Sequence, residues 1–192
     1  MIQDRKATAR AQAFAARKQA HAEASAIVPS AISHLLASIG QPEGRIIAGY
    51  MAMRTELSPL PAMVALHAAG ARLCVPIIEA KGQPLAFQEW TPESEMIPGP
   101  FGASVPARGA WLTPDTLIVP LVAFDARLNR LGYGGGFYDR TLERLRAAAP
   151  TRAIGFAYAA QELPEVPQEP TDQPLDALIT ENGPLAAGAP RA

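Results

Sequence analysis

The sequence has 192 residues, of which 48% are hydrophobic and 18% are charged. These proportions are typical of a globular protein, and the length suits one domain with one substantial core. Seventeen basic and eighteen acidic residues leave a formal charge of −1, which argues against a large electrostatic surface for nucleic acid. No run approaches 18 apolar residues and the polar N-terminus lacks a hydrophobic signal core, so we expect a cytoplasmic protein without a membrane partner.

Two helices are predicted at the N-terminus. The first runs to about His21, because alanine, arginine, lysine and glutamine are good helix formers. Lys6 and Arg10 lie one turn apart on the same face and could bind one polyphosphate, although a solvated basic face explains the same spacing. The second helix is predicted over Ala24–Ile39, and Pro29 either kinks it or restarts it.

The rest of the chain alternates between predicted strands and helices. A helix is predicted after Ser58, a suitable N-cap, with Pro59 in its first turn and Gly70 as its end. The strand–helix–strand order around it favours a right-handed parallel crossover. Cys74, the single cysteine, falls in the second strand and is predicted to be a buried core thiol rather than a nucleophile. The predicted strands cover residues 45–51, 73–78, 85–90, 116–124, 152–158 and 177–180.

Residues 91–113 are predicted to form an ordered loop or lid, because they are rich in proline and glycine and lack a helical period. Phe101 and Trp111 could cover an aromatic substrate there, but anchoring the loop to the core is the favoured role for both. One domain is predicted over residues 1–182. Residues 183–192, rich in alanine, glycine and proline, are predicted to be a frayed tail.

The most informative stretch is Arg130-Leu131-Gly132-Tyr133-Gly134-Gly135-Gly136-Phe137-Tyr138-Asp139, between the strand that ends near residue 124 and a helix predicted over 138–149. The start of a helix favours an anion, and glycine lets the backbone approach it closely. The glycine spacing fits neither common phosphate-loop pattern, and a tight turn before a helix would explain the glycines alone. Arg130 and Asp139 add a cation for phosphate and a carboxylate for a divalent ion, so the stretch indicates a nucleotide-using enzyme.

Glu56 follows the first predicted strand, in a loop at the edge where open α/β sheets bind ligands. Its carboxylate could accept hydrogen bonds from a substrate. A solvated loop carboxylate is the simpler interpretation, and both interpretations stay open on the residues alone.

Four blocks of the sequence resemble one family, the 5-formyltetrahydrofolate cyclo-ligases, also called methenyltetrahydrofolate synthetases. Val-Ala-Phe-Asp at 122–125 and the stretch 130–140 are similar to the family signature. Lys6 and Arg10 resemble its Lys-x-x-x-Arg, and Glu56 falls where the family keeps a substrate-binding glutamate. The segment from Pro170-Thr171-Asp172 to residue 181 resembles its closing segment. The resemblance covers nearly the whole chain, in the expected order.

The resemblance implies that the protein uses ATP and Mg²⁺ to close 5-formyltetrahydrofolate into 5,10-methenyltetrahydrofolate, releasing ADP and phosphate. It implies a phosphorylated formyl group, an imidoyl phosphate, as intermediate, and no covalent protein nucleophile. The implied fold is a three-layer α/β/α single domain with a mostly parallel central sheet and a glycine-rich loop between a strand and a helix. Only small-molecule partners are implied, and a monomer is expected.

The resemblance also implies roles for individual residues. Asp139 and Asp172 are the implied Mg²⁺ ligands, and Arg130 and Tyr133 are the candidate contacts to the reacting groups. The implied ATP contacts are Lys6, Arg10, Arg130, Leu131, Gly132, Tyr133, Gly134, Gly135, Gly136, Phe137 and Tyr138. The implied folate contacts are Met51, Glu56, Tyr133, Gly134, Gly135, Gly136 and Phe137.

Three positions depart from the family pattern. Leu128 stands where the family usually has glycine, Phe137 replaces a tyrosine and loses its hydroxyl, and Thr171 precedes Asp172 where histidine is frequent. Two other functions therefore stay open. One is a non-catalytic folate- or nucleotide-binding paralogue, and the other is a different reaction on the same fold.

Overall fold

The computed structural model describes residues 1–185 of the chain. In that range it contains four α-helices and eleven strands. They are α1 (Ile2–Ala22), α2 (Ala24–Ile39), β1 (Ile46–Ala48), α3 (Leu60–Ala68), β2 (Arg72–Ile77), β3 (Ala86–Trp90), β4 (Met96–Pro98), β5 (Ser104–Pro106), β6 (Thr116–Val119), β7 (Ala123–Phe124), β8 (Arg130–Leu131), α4 (Phe137–Ala148), β9 (Arg152–Phe156), β10 (Ala177–Thr180) and β11 (Gly183–Leu185).

A seven-stranded sheet in the order β11-β10-β9-β6-β1-β2-β3 forms the centre of the fold. The five inner strands run parallel. The edge strands β3 and β11 are antiparallel to their neighbours. The mostly parallel sheet and the hairpin of β2 with β3 are thereby confirmed. Because the inner strands share a direction, the loops that follow β1, β6 and β9 all leave the same edge of the sheet.

Helices cover both faces of the sheet, which confirms the three-layer fold. On β6, the side chain of Ile118 packs with α2 and α3, whereas those of Leu117 and Val119 pack with α4 on the opposite face. On β10, Ile179 and Leu178 divide between the two faces in the same way. This alternation follows from the two-residue period of a strand, and it gives each helical layer its own apolar core.

Helix α1 lies against the loops at the carboxyl edge of the sheet. It contacts β7 and the 3₁₀ turn Ala159–Gln161, which comes after β9. Its buried stripe combines small side chains, which allow close approach, with two basic ones: Lys6, Ala9, Ala13, Arg17 and Ala20. Within residues 1–185 no single helix is long and apolar enough to cross a membrane. The pair α1 and α2 passes on length and composition, with a bend of 100° between the two helices.

Proline explains where the strand predicted over 116–124 divides. Pro120 follows β6 and has no N–H to donate to a neighbouring strand, so the ladder ends at Val119. The chain resumes as β7, which pairs with β8 in a separate two-stranded hairpin. The glycine-rich loop therefore follows the short strand β8 rather than the central strand itself.

Proline interrupts β6 but does not interrupt helix α2. Helix α2 continues through Pro29, which is exposed, so water can satisfy the carbonyl that loses its intrahelical partner. Helix α3 begins at Leu60, one residue later than predicted, with Pro59 as N-cap. The hydroxyl of Ser58 accepts a hydrogen bond from the backbone N–H of Leu60 at 3.3 Å.

The segment 91–113 is ordered, but its aromatic residues do not anchor it. Strands β4 and β5 form a hairpin whose tip contains Phe101, and the Phe101 side chain is 69% exposed. Trp111 is 60% exposed and lines a cleft of about 320 Å³ beside Arg144 and Leu145 of α4. The favoured anchoring role was therefore wrong for both rings, because backbone pairing between β4 and β5 orders the segment instead.

The beginning of the predicted frayed tail is part of the sheet. Gly183–Leu185 form β11, in which Leu185 pairs with Leu178 of β10, so the tail prediction is wrong for these three residues. The hairpin with β10 provides hydrogen-bond partners for the backbone of these residues, and a prediction from composition does not consider such pairing. The rest of the predicted tail, 186–192, lies outside the described residues.

Leu128, one of the departures from the family pattern, has a backbone conformation that favours glycine. Its φ is 65°, in the left-handed region that is unfavourable for a side chain. The Leu128 side chain is nonetheless 1% exposed and packs into the core on the α4 face. Apolar burial of the Leu128 side chain offsets part of the backbone strain.

Cys74 is predicted to be unreactive in the folded protein. Its side chain is fully buried, and this burial raises the pKa of the thiol to about 12. At pH 8 about one molecule in ten thousand would carry the reactive thiolate. We expect no measurable modification by a thiol reagent at pH 8 without denaturant, and one modified thiol per chain in denaturant. Rapid labelling of the folded protein would contradict this burial.

Candidate functional site

The predicted site residues converge at the carboxyl edge of the sheet. Glu56 lies in the loop after β1, and Tyr133 lies in the loop between β8 and α4. The Tyr133 hydroxyl donates a hydrogen bond to Glu56 Oε1 at 2.6 Å, which joins the two loops directly. Helix α1 completes the site, since Arg10 Nε donates to the Gly132 carbonyl at 2.9 Å.

The glycine-rich loop has the backbone geometry of an anion cradle. Gly134 and Gly136 have φ values of 98° and 63°, and Gly136 is the N-cap of α4. Within residues 1–185, the N–H groups of Gly134, Gly135 and Gly136 donate to no other protein group. Unpaired N–H groups at a helix N-terminus are suited to phosphate oxygens.

Gly135 differs from its two neighbours, because its φ lies outside the left-handed region. A Cβ added at Gly135 would meet the ring of Phe137 at 2.8 Å. At Gly134 an added Cβ would lie 3.4 Å from Arg10 Nη2. The dihedral constraint therefore falls on Gly134 and Gly136, whereas Gly135 is restricted by a neighbouring side chain.

Lys6 is not part of a solvated basic face. Its side chain is 6% exposed, and Nζ lies 2.8 Å from Glu169 Oε2 and 2.6 Å from Asp172 Oδ2. Burial alone would lower the pKa of Lys6, but hydrogen bonds and charges from the two carboxylates outweigh it and raise that pKa. Lys6 is thus a fixed cation, bound to one of the predicted metal ligands.

A second cation–carboxylate pair brings the two ends of the glycine-rich stretch together. Arg130 Nη2 lies 2.7 Å from Asp139 Oδ1, which also accepts a hydrogen bond from the backbone N–H of Gln173 at 3.0 Å. Since Gln173 follows Asp172, the same contact brings the closing segment beside α4. The structure therefore places Asp139 and Asp172 in one neighbourhood, each paired with a buried cation.

Both carboxylates fit a magnesium ion chemically. Among the described residues, hydrogen bonds and ion pairs reach only Oδ1 of Asp139 and only Oδ2 of Asp172, so one oxygen of each remains available. No group of three or more acidic, histidine or cysteine side chains in residues 1–185 could hold a metal ion by itself. Two carboxylates suit Mg²⁺ that takes its remaining ligands from water and phosphate.

Unpaired buried polar atoms lie beside these pairs. The Nε of Arg130, the hydroxyl of Tyr138 and the Nε of Arg140 are buried, and none has a partner within residues 1–185. The Arg130 guanidinium lies 5.8 Å from the centre of the Tyr138 ring. Burial, followed in effect by the charge of Glu56, raises the pKa of Tyr138, so its hydroxyl keeps its proton. A bound ligand would give such groups the partners they lack.

Three other predicted ligand contacts, Leu131, Met51 and Phe137, differ in which of their atoms could reach a ligand. The Leu131 side chain is 2% exposed and packs against Ala9 and Ala13 of α1, so only its backbone can meet a nucleotide. Met51 is half-buried against the core, at the rim of the Glu56 loop. The Phe137 ring lies 6.3 Å from the Phe101 ring, which brings the tip of the β4–β5 hairpin beside the glycine-rich loop.

Arg17 is the functional candidate that the sequence analysis missed. Its side chain is 1% exposed. Its Nη1 donates to the Tyr133 hydroxyl at 2.6 Å, and its Nε donates to Thr55 Oγ1 at 3.0 Å. The position lies seven residues after Arg10, which is two helical turns along the same face, so helical period was the available signal.

Tyr133 is held as a neutral phenol between Arg17 and Glu56. Burial, then the charge of Glu56 and the hydrogen bond to it, raise the pKa of Tyr133 to about 12 against the opposing effect of Arg17. The hydroxyl therefore accepts from Arg17 and donates to Glu56. The second carboxylate oxygen of Glu56, Oε2, accepts from the backbone N–H of Met53 at 2.8 Å. Glu56 is 5% exposed, which rules out the solvated-loop interpretation.

Comparisons with known proteins agree with this geometry. Residues 2–181 match the model of the 5-formyltetrahydrofolate cyclo-ligase family. The chain is 34% identical to 5-formyltetrahydrofolate cyclo-ligase of Escherichia coli over 140 residues, covering 70% of this chain and 76% of that protein. It is 33% identical to the Haemophilus influenzae protein of the same name over 157 residues, covering 78% and 83% respectively.

A solved structure supports the fold independently. The NMR structure of 5,10-methenyltetrahydrofolate synthetase from Aquifex aeolicus superposes with a TM-score of 0.75, covering 97% of this chain and 95% of that chain. Sequence identity in that comparison is 24%, so the similarity concerns the fold. It agrees with the three-layer architecture and its mostly parallel sheet.

Gly134→Ala is predicted to reduce catalytic activity on the order of a hundredfold per folded molecule, because it would disturb preorganised N–H donors. The left-handed φ adds a stability cost of about 1–2 kcal/mol. Gly82→Ala is the matched control, since Gly82 has a φ of 80° and open space around its Cβ position. Unfolding midpoints and activity should be measured on the same preparations. Equal activity of the two variants would reduce Gly134 to a turn residue.

Proposed function

Since the chain belongs to the 5-formyltetrahydrofolate cyclo-ligase family, a family of ligases, we propose that it cyclises 5-formyltetrahydrofolate to 5,10-methenyltetrahydrofolate. ATP and Mg²⁺ are required in this proposal, and ADP and phosphate are released. The Tyr133–Glu56 hydrogen bond is the observation that carries it, because it joins a loop suited to phosphate to a carboxylate suited to a pterin. A reaction that phosphorylates a folate needs those two sites in contact.

Glu56 is proposed to orient the folate. The carboxylate is held by one donor on each oxygen, Tyr133 and the Met53 N–H, and each oxygen keeps further capacity to accept. The ring nitrogens of a pterin present N–H donors to such an acceptor. Met51 would contribute an apolar wall to the same pocket. This assignment explains why a carboxylate 5% exposed has no basic side chain bound to it in residues 1–185.

ATP is proposed to bind on the other side of the glycine-rich loop. The free N–H groups of Gly134, Gly135 and Gly136 would meet phosphate oxygens, and Arg10 borders the loop. Arg130 lies in β8, directly before the loop, and Lys6, which holds Asp172, is proposed as a further phosphate contact. Charge-assisted hydrogen bonds from such groups are the common means of binding polyphosphate.

The chemistry requires activation of a formamide, which is a poor electrophile. The terminal phosphoryl group of ATP passes to the formyl oxygen, and the bond from that phosphorus to the bridging oxygen of ADP breaks. The second folate nitrogen then attacks the activated carbon and loses its proton to water or to the phosphate, and inorganic phosphate leaves with the formyl oxygen. Positioning and charge neutralisation carry most of such a transfer. The Cys74 thiol is buried and its pKa is raised to about 12, which agrees with a mechanism without that thiol as nucleophile.

Asp139 and Asp172 would hold the magnesium ion through their available oxygens. When bound, the ion neutralises phosphate charge. The protein's own contribution is to orient both carboxylates, through Arg130 and the Gln173 N–H on one side and through Lys6 and the Glu169 N–H on the other.

The test of the proposed function is a direct assay. The protein is mixed with ATP, Mg²⁺ and 5-formyltetrahydrofolate, and the absorbance of the methenyl product is followed. A folate- or nucleotide-binding paralogue would bind ligand without forming product, and a different reaction on the same fold would consume neither substrate. Product that forms only with ATP and Mg²⁺ present supports the proposal, and absence of product from folded protein overturns it.

Glu56→Gln and Arg10→Ala are each predicted to weaken the binding of a different substrate. Glu56→Gln should raise the KM for folate about tenfold or more and leave the KM for ATP unchanged, because it removes a charged acceptor. Arg10→Ala should weaken ATP binding by about 1.5–3 kcal/mol.

Arg5→Ala is the control for Arg10, since Arg5 is an exposed arginine of the same helix. Direct titrations with each ligand check both predictions. If either variant lost affinity for folate and for ATP equally, the assignment of Glu56 to folate and of Arg10 to ATP would be contradicted.

Asp139→Asn is predicted to abolish most turnover while folate binding without ATP survives, because the substitution keeps size and removes a metal-binding charge. Asp176→Asn is the control, since Asp176 pairs with Arg146 at 2.9 Å outside the proposed site. Turnover is measured across a Mg²⁺ titration and folate affinity by direct binding. A matching loss of folate affinity would mean that Asp139 organises the loop instead.

A further inference from the structure

Arg17 is a buried cation without a direct anionic partner. Its side chain is 1% exposed, yet within residues 1–185 no carboxylate lies at ion-pair distance from it. Its partners are the hydroxyl of Thr55, the hydroxyl of Tyr133 and the ring faces of Phe14 and Tyr133, whose centres lie 5.1 and 5.5 Å from its guanidinium carbon. Burying a charge in this way is costly unless the surroundings compensate it.

The nearest compensation passes through one hydroxyl group. Arg17 donates to the Tyr133 oxygen at 2.6 Å, and that hydroxyl donates to Glu56 Oε1 at 2.6 Å. Two short hydrogen bonds in series polarise each other, so the arginine strengthens the bond that Tyr133 makes to Glu56. Because Arg17 has no acceptor to offer, the Tyr133 proton can point only away from it.

The rings fix this arrangement sterically. Phe14 and Tyr133 lie with ring centres 5.7 Å apart, and the Arg17 guanidinium lies near both. Thr55, which binds Arg17 Nε, is the residue next to Glu56. Arg17 therefore contacts both loops of the site, one through Thr55 and the other through Tyr133.

We propose that Arg17 is a positioning residue for the folate substrate, which fixes Tyr133 and, through it, the carboxylate of Glu56. This proposal rests on the proposed function. It adds Arg17 to the site and assigns different basic residues of α1 to the two substrates. Lys6 and Arg10 serve the phosphate side of α1, whereas Arg17, about 16 Å along the helix from Lys6, serves the folate side. The basic stripe of one helix thus contacts both halves of the site.

The test compares Arg17→Gln, Arg17→Lys and Tyr133→Phe with wild-type protein. Arg17→Gln and Tyr133→Phe should each raise the KM for 5-formyltetrahydrofolate about tenfold and leave the KM for ATP within twofold. Arg17→Lys should recover part of the loss, because it restores the charge without the fork geometry. Lys18→Gln is the control, since Lys18 is the exposed neighbour on α1 and should behave as wild type.

A double-mutant cycle tests whether the effect of Arg17 on folate binding passes through Tyr133. If Arg17 acts through Tyr133, Arg17→Gln in the Tyr133→Phe protein should add less than twofold to the folate KM, whereas independent effects would multiply. Unfolding midpoints are measured for every variant. If Arg17→Gln does not fold, Arg17→Lys decides the matter, because it keeps the charge and changes only the hydrogen bonds to Tyr133 and Thr55, so an unchanged folate KM in that variant would overturn the inference.

The outcomes separate this inference from the proposed function. Wild-type protein that makes no methenyl product overturns the function and the inference together. Wild-type protein that is active, with Arg17→Gln and Tyr133→Phe unchanged in folate KM, overturns the inference alone. Equal increases in the KM values for ATP and folate, with a lowered unfolding midpoint, would assign Arg17 a purely structural role and also overturn it.

Discussion

The hydrogen bond from Tyr133 to Glu56 is the interaction on which the rest of the site depends. The two residues are 77 positions apart in sequence. Glu56 follows β1 of the central sheet, whereas Tyr133 follows β8 of the separate β7–β8 hairpin, so the bond joins the carboxyl edge of the sheet to that hairpin. It also fixes the distance between Glu56, the carboxylate proposed for folate, and the glycine-rich loop proposed for phosphate, and the proposed phosphoryl transfer would depend on that distance.

Helix α1 has a structural and a chemical role that come from the same stripe. Its alanines, Ala9 and Ala13, are small enough to let the helix backbone approach β7 and β8. Two basic side chains, Lys6 and Arg17, lie in the same buried stripe of the helix. Lys6 and Arg17 are thereby buried from water, which strengthens their electrostatic interactions with the groups around them.

Local chemistry made much of the fold predictable. Apolar runs bounded by proline or glycine located the inner strands, and the glycine-rich stretch with its flanking charges located the loop. Arg17 was not predictable in the same way, because its partners Thr55 and Tyr133 are 38 and 116 residues away and its helix is rich in arginine and lysine. The exposure of Phe101 was missed for a related reason, since pairing of β4 with β5 is invisible to hydrophobic period.

The two ion pairs of the site explain how it can be folded before its ligands bind. Lys6 pairs with Asp172 and Arg130 pairs with Asp139, so each cation proposed for phosphate holds a carboxylate proposed for magnesium. Unpaired, four such charges in a partly buried site would carry a large desolvation cost. In the proposed function, ATP would arrive with its metal ion and supply anions to the cations and a cation to the carboxylates together, so that these charges would stay compensated. Either ligand alone would leave one set of partners unmatched, so the pairing would favour binding of nucleotide and metal as one unit.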